Sequence, residues 1–175
     1  MYDVLVLVEE ELSVPDTERL VQLYAAKPEP VRFHLIVPCE DAQAQVEASL
    51  SGIAGSDMFG MTGPRYGFRP PDEVHQVADE AQRAADAEAS ASLERSLRRL
   101  RSLGREAEGS ITHRHPVDQL VDDILRVQGQ EVVVVTRPHV IAELLHVDWS
   151  AQARRHLGVP VLHLLEQQPD DPLKE

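Results

Sequence analysis

Two stretches of this chain are aliphatic without interruption, Val4-Leu5-Val6-Leu7-Val8 and Val132-Val133-Val134-Val135. A strand with one wet face alternates apolar and polar residues, because successive side chains point to opposite faces. A short run with no alternation reads as a strand buried on both faces, and such strands belong to parallel sheets covered by helices. Aromatics make up only 4% of the chain, so the core must rest on Val, Leu, Ile and Ala. That composition suits helices packed on a buried parallel sheet.

The intervening segments fit such a sheet. Glu9-Glu10-Glu11 ends the first strand, and Pro15-Asp16-Thr17 opens a short helix carrying Leu20, Val21, Leu23 and Tyr24. Val31–Val37 is a second strand, stopped by Pro38-Cys39, and residues 41–50 suit a turn or two of helix. Residues 51–71, rich in Gly, Pro, Ser and Met, read as a long surface loop. The longest helix runs from about Glu73 to Leu103, with Val77, Ala81, Ala85, Ala89, Leu93, Leu97 and Leu100 as its expected buried stripe and Gly104 as its cap. Glu106–His113 is a weak strand whose polarity suits an edge. Pro116 starts the next helix, Leu120, Val121, Ile124 and Leu125 form its buried stripe, and Gly129 ends it. A helical region from about 140 to 157 and a last strand, Val159–Leu165, follow the valine run. Residues 1–166 thus read as one α/β domain with a doubly wound parallel sheet, and 167–175 as a polar tail.

Charge narrows the function classes. The chain has 17 Lys and Arg against 30 Asp and Glu, a net charge of −13. Such a surface repels phosphate backbones and anionic bilayers, so neither nucleic acid nor membrane is an expected partner. Cys39 is the sole cysteine, which excludes an intrachain disulfide and suits a reducing compartment. No basic region precedes the first apolar run and no apolar run is long enough to cross a bilayer, so the expected location is cytoplasmic.

In doubly wound sheets, ligands bind outside the carboxyl ends of the strands. With the first strand central, that rim includes Val8, Glu9, Pro38, Cys39, Thr136 and Arg137. His113 and His115 would share a face if both stayed in strand geometry, with His139 near the same rim, but no tight ligand spacing is present and no metal is expected. Cys39 is followed by Glu40 and Asp41, poor neighbours for a reactive thiolate. No nucleophile elbow, paired-cysteine motif or phosphate loop occurs, and no catalytic residue is assigned.

The whole arrangement resembles the universal stress protein family. The resemblance rests on the opening strand Tyr2–Val8, the variable loop and long helix after the second strand, His115-Pro116-Val117-Asp118-Gln119-Leu120 at a helix start, Val132–Thr136, and the closing Gly158-Val159-Pro160-Val161-Leu162. It implies a five-stranded sheet in the order 3-2-1-4-5 and a homodimer joined through the final strand, Val161–Leu165. ATP-binding members carry Gly-x-x-Gly after the fourth strand and a later Gly-Ser or Gly-Thr, because glycines let backbone amides approach phosphates. Here Thr136–Ser150 contains no glycine, and Pro138 removes a donor. The resemblance therefore implies a regulatory or binding homodimer with a degenerate nucleotide site and no catalysis. The alternative is an adenine-nucleotide or other small-ligand binder, or a weak nucleotide hydrolase, taking ATP or AMP at a rim of Val8, Glu9, Pro38, Thr136, Arg137, His139 and Ser150.

Overall fold

A computed structural model describes residues 1–39, 71–114, 116–136 and 157–166. The expected loop 51–71 lies outside these residues except for Pro71, and the expected tail lies wholly outside them. Contacts group the chain into two compact units, Met1–Pro38 with Ala89–Glu175, and Cys39–Glu88.

The first unit holds the sheet. Its strands are β1 (Tyr2–Val8), β2 (Val31–Pro38), β3 (Glu106–Thr112), β4 (Glu131–Thr136) and β5 (Val161–Leu165). All pair in parallel, in the order β3-β2-β1-β4-β5. The two uninterrupted aliphatic runs occupy β1 and β4, side by side at the centre, and Val4–Val8 and Val132–Val135 are all buried. Each buried Val or Leu side chain contributes about 1.5–3 kcal/mol relative to exposure, so these two strands anchor the fold.

Helices α1 (Val14–Leu23), α2 (Pro71–Ser102) and α3 (Pro116–Val127) complete the described elements. Ser13 caps α1, its hydroxyl accepting the Asp16 amide at 3.2 Å. The chain just beyond α1 lies over the face that carries Phe33, where Tyr24 meets the Phe33 ring edge-on at 5.7 Å. The latter half of α2 covers the same face through Ala89, Leu93, Leu97 and Leu100, all buried. At its end Gly104 takes a φ of 73° and Arg105 N–H reaches back to the Leu100 carbonyl at 3.1 Å, the left-handed cap that glycine favours. On the opposite face α3 closes a core of Leu5, Leu7, Ile36, Leu120, Ile124, Val132 and Val134, joined by Leu157.

Two expectations change. Val77 is 39% exposed and Ala78 is buried instead. A strict four-residue repeat advances about 40° per step around a helix of 3.6 residues per turn, so the row drifts off the buried side well before Val77. Leu125 is 75% exposed, because it lies about 100° around α3 from Ile124. The helix ends at Val127, two residues before Gly129, and Gln128 takes the left-handed conformation with φ 55°. Gly129 is needed for closeness: a Cβ there would sit 2.2 Å from Leu5 Cδ1.

Candidate functional site at the carboxyl rim

The chain leaves β1 and β4 in opposite directions, β1 toward β2 and β4 toward β5. In doubly wound sheets, ligands bind outside the carboxyl ends of the strands at such a reversal. Val8 and Val135 are in register there, and Glu9 N–H extends the ladder to the Val135 carbonyl at 3.2 Å. Val8 is buried, while Glu9 just beyond it is half-buried. Pro38 ends β2 on the far side of β1, paired with Thr112 of β3.

The loop after β1 is fixed by α2. Leu12 is buried, and its amide donates to Ser96 Oγ at 3.0 Å. Arg95 and Arg99 both donate to the Glu11 carboxylate, and Arg99 also donates to the Leu12 carbonyl. Burial alone would raise the Glu11 carboxyl, but the hydrogen bonds and charges of the two arginines outweigh it and hold it below its ordinary value. The loop after β1 is therefore held in place. These partners lie more than eighty residues apart in sequence, so helical spacing alone could show the arginines but not their acceptor.

Thr136, the last residue of β4, is buried. Its hydroxyl is 2.8 Å from His163 Nε2 on β5, and its carbonyl accepts Glu166 N–H at 2.8 Å. Desolvation lowers the His163 pKa below its ordinary value of 6.5. The neutral imidazole can then exchange a neutral hydrogen bond with Thr136. His163 was not among the expected site residues; its place on the face of Val134 follows from the β4–β5 register.

The structure therefore brings Val8, Glu9 and Thr136 to one rim, with Pro38 beyond them. Arg137, His139 and Ser150 lie outside the described residues. Cys39, just past β2, donates its thiol to Asp86 at 3.0 Å, and Gln82 donates to the same oxygen at 2.8 Å. β3 ends at Thr112, so the strand geometry that would have set His113 and His115 on one face stops before them.

No protein-family model matches the chain, and no curated protein does. Solved structures do. A universal stress protein family protein from Arabidopsis thaliana, solved with AMP bound, superposes with a TM-score of 0.54 at 16% identity over 100% of both chains. A universal stress protein from Archaeoglobus fulgidus gives 0.50 at 15% identity over 93% of each chain. This chain has the universal stress protein fold. A hypothetical protein solved as a structural-genomics test case of functional assignment shares the architecture, with a TM-score of 0.62 at 11% identity over 97% of this chain and 99% of that one. The 3-2-1-4-5 sheet implied by the family resemblance is the sheet of this universal stress protein fold. Among the described residues no helix is long and apolar enough to cross a membrane.

Proposed function

We propose that this chain is a divergent protein of the universal stress type, a regulatory or binding homodimer joined through β5. Its nucleotide site is altered and it catalyses nothing itself. The observation that carries this reading is the use made of Thr136. Its hydroxyl goes to His163 and its carbonyl to the Glu166 amide. The one side-chain donor at the point where a phosphate cradle would start is thus engaged by His163. Beyond it the sequence has no glycine up to Ser150, so backbone amides lack the clearance that phosphate binding uses. Pairing through β5 is supported by its composition, Val-Leu-His-Leu-Leu, on an outer strand. A cytoplasmic location goes with this reading, since a single cysteine asks for no oxidising compartment.

Native mass spectrometry of freshly purified protein, followed by calorimetric titration with ATP and AMP, tests it. The expected result is a dimer mass without a nucleotide adduct and no heat from either nucleotide. Nanomolar ATP binding overturns the altered-site reading, and a monomer at high concentration overturns the dimer.

The AMP-bound Arabidopsis protein favours a second reading, because it shares this fold over its full length. In it, Glu9, Thr136, Arg137 and His139 line an altered rim that takes AMP or ATP. Arg137→Ala then weakens AMP binding in the same titration; unchanged affinity removes the phosphate contact.

A further inference from the structure

We propose that His34 and Glu108 form a binding site for a borderline divalent cation, with Zn2+ as the type case, on the sheet face that carries α3. This site is separate from the carboxyl rim. His34 on β2 is in register with Glu108 on β3, and Asp3 on β1 lies diagonally across. The His34 side chain is only 5% exposed. Its Nε2 is 2.8 Å from Asp3 Oδ1. A carboxylate only accepts, so Nε2 carries the hydrogen in that bond.

Nδ1 is the unusual atom. It is buried and has no hydrogen bond. Glu108 Oε1 lies 2.9 Å from it, out of hydrogen-bonding alignment. In the neutral ring, Nδ1 presents a lone pair. Two electron-rich atoms at that distance repel unless a cation is placed between or beside them. A cleft of about 480 Å³ opens at the same place, lined by His34, Glu108 and Ser110 and, from α3, by Gln119, Asp123 and Arg126. It has room for an ion and its waters. The α3 carboxylate is already used: Asp123 accepts from Gln119 at 2.9 Å and from Arg126 at 3.0 and 2.9 Å. His34 Nδ1 and Glu108 remain as the donor pair.

The donor chemistry selects the ion. One imidazole nitrogen and one carboxylate oxygen suit Zn2+, Co2+ or Ni2+, whereas Mg2+ and Ca2+ prefer oxygen throughout. Metal-bound imidazoles usually give their other N–H to a carboxylate, the role Asp3 fills here. Tetrahedral bonds of about 2.1 Å put neighbouring ligand atoms about 3.4 Å apart, so taking Zn2+ requires the exposed Glu108 carboxylate to move out by about half an ångström from its 2.9 Å separation. Water completes the coordination.

Zn2+ titration by calorimetry on the full chain, with Co2+ absorption as a second probe, tests the site. The wild type is expected to bind Zn2+, and binding is lost in His34→Gln and in Glu108→Gln. Glu108 is 56% exposed, so its variant folds even if the buried histidine variant does not. Asp3→Asn keeps both metal ligands and is expected to weaken binding by about 10–100-fold. The Co2+ complex should lack a thiolate charge-transfer band. Any of three results overturns the proposal: no Zn2+ binding, which leaves a shared proton as the occupant; unchanged binding in Glu108→Gln, which puts the ion elsewhere among the eight histidines; or a thiolate band, which puts it on Cys39.

Discussion

The two edges of the sheet are built from opposite materials. β3 presents Glu106, Glu108 and Ser110 to solvent, and Glu106 pairs with Arg32 of β2 at 3.1 Å. β5 is five residues long and carries no Asp, Glu, Lys or Arg. An outer strand offers unpaired backbone groups to any passing strand, and charge along it is the usual protection. β3 has that protection and β5 does not. The contrast teaches that composition at an edge records what the edge is for. The charged edge is kept from strand pairing and has ionic side chains to spare for a small ligand. The aliphatic edge lacks that protection, which is why the proposed dimer is assigned to β5.

The largest expected effect breaks the contrast from inside the unit. Leu164 is the one buried residue of β5, while Ile111 of β3 is half-buried. Leu164→Ala should cost about 2–3 kcal/mol and Ile111→Ala about 1 kcal/mol, read as midpoints of urea unfolding. Equal costs would mean that the two edges are held to the core alike. A smaller effect comes from outside. Leu162 is half-buried on β5, so Leu162→Lys puts a charge where the proposed partner strand would lie. The expected result is a dimer weakened by about thirtyfold, near 2 kcal/mol, in sedimentation equilibrium, with monomer secondary structure intact. Unchanged association would show that β5 is not the interface.

Much of this contrast was legible in the sequence, and the reason is local. The polarity of Glu106–His113 suited an edge, and the two aliphatic runs read as strands buried on both faces, because burial on one or two faces is written into consecutive residues. Contacts that depend on register were not legible. Nothing around His34 signals that Asp3 and Glu108 flank it, since that follows from three strands being aligned. The same holds for Thr136 and His163, and for Glu11 between Arg95 and Arg99. Helical faces were read correctly near the core and drifted at Val77 and Leu125, where a fixed repeat parts from the true helical period. Of the rim, Val8, Glu9 and Thr136 lie at the ends of neighbouring strands, because strand ends follow directly from the strand order.

The smallest effect separates the edges by pH. His163 on β5 has a pKa lowered by desolvation, so the unfolded chain binds a proton there more readily than the folded one. Stability therefore rises with pH across this titration. The contribution is fully present above the ordinary histidine value of 6.5 and is lost as pH falls from there through the lowered folded value. Protonation also puts a charge beside the buried Thr136 hydroxyl at the strand that the proposed dimer uses. His163→Gln should flatten the slope of stability against pH just below 6.5 while leaving stability at pH 8 little changed. Glu106→Gln on β3, whose partner Arg32 stays charged throughout this range, should leave the slope in that window unaltered. A slope that survives in His163→Gln would place the titrating group elsewhere and remove pH as a difference between the two edges.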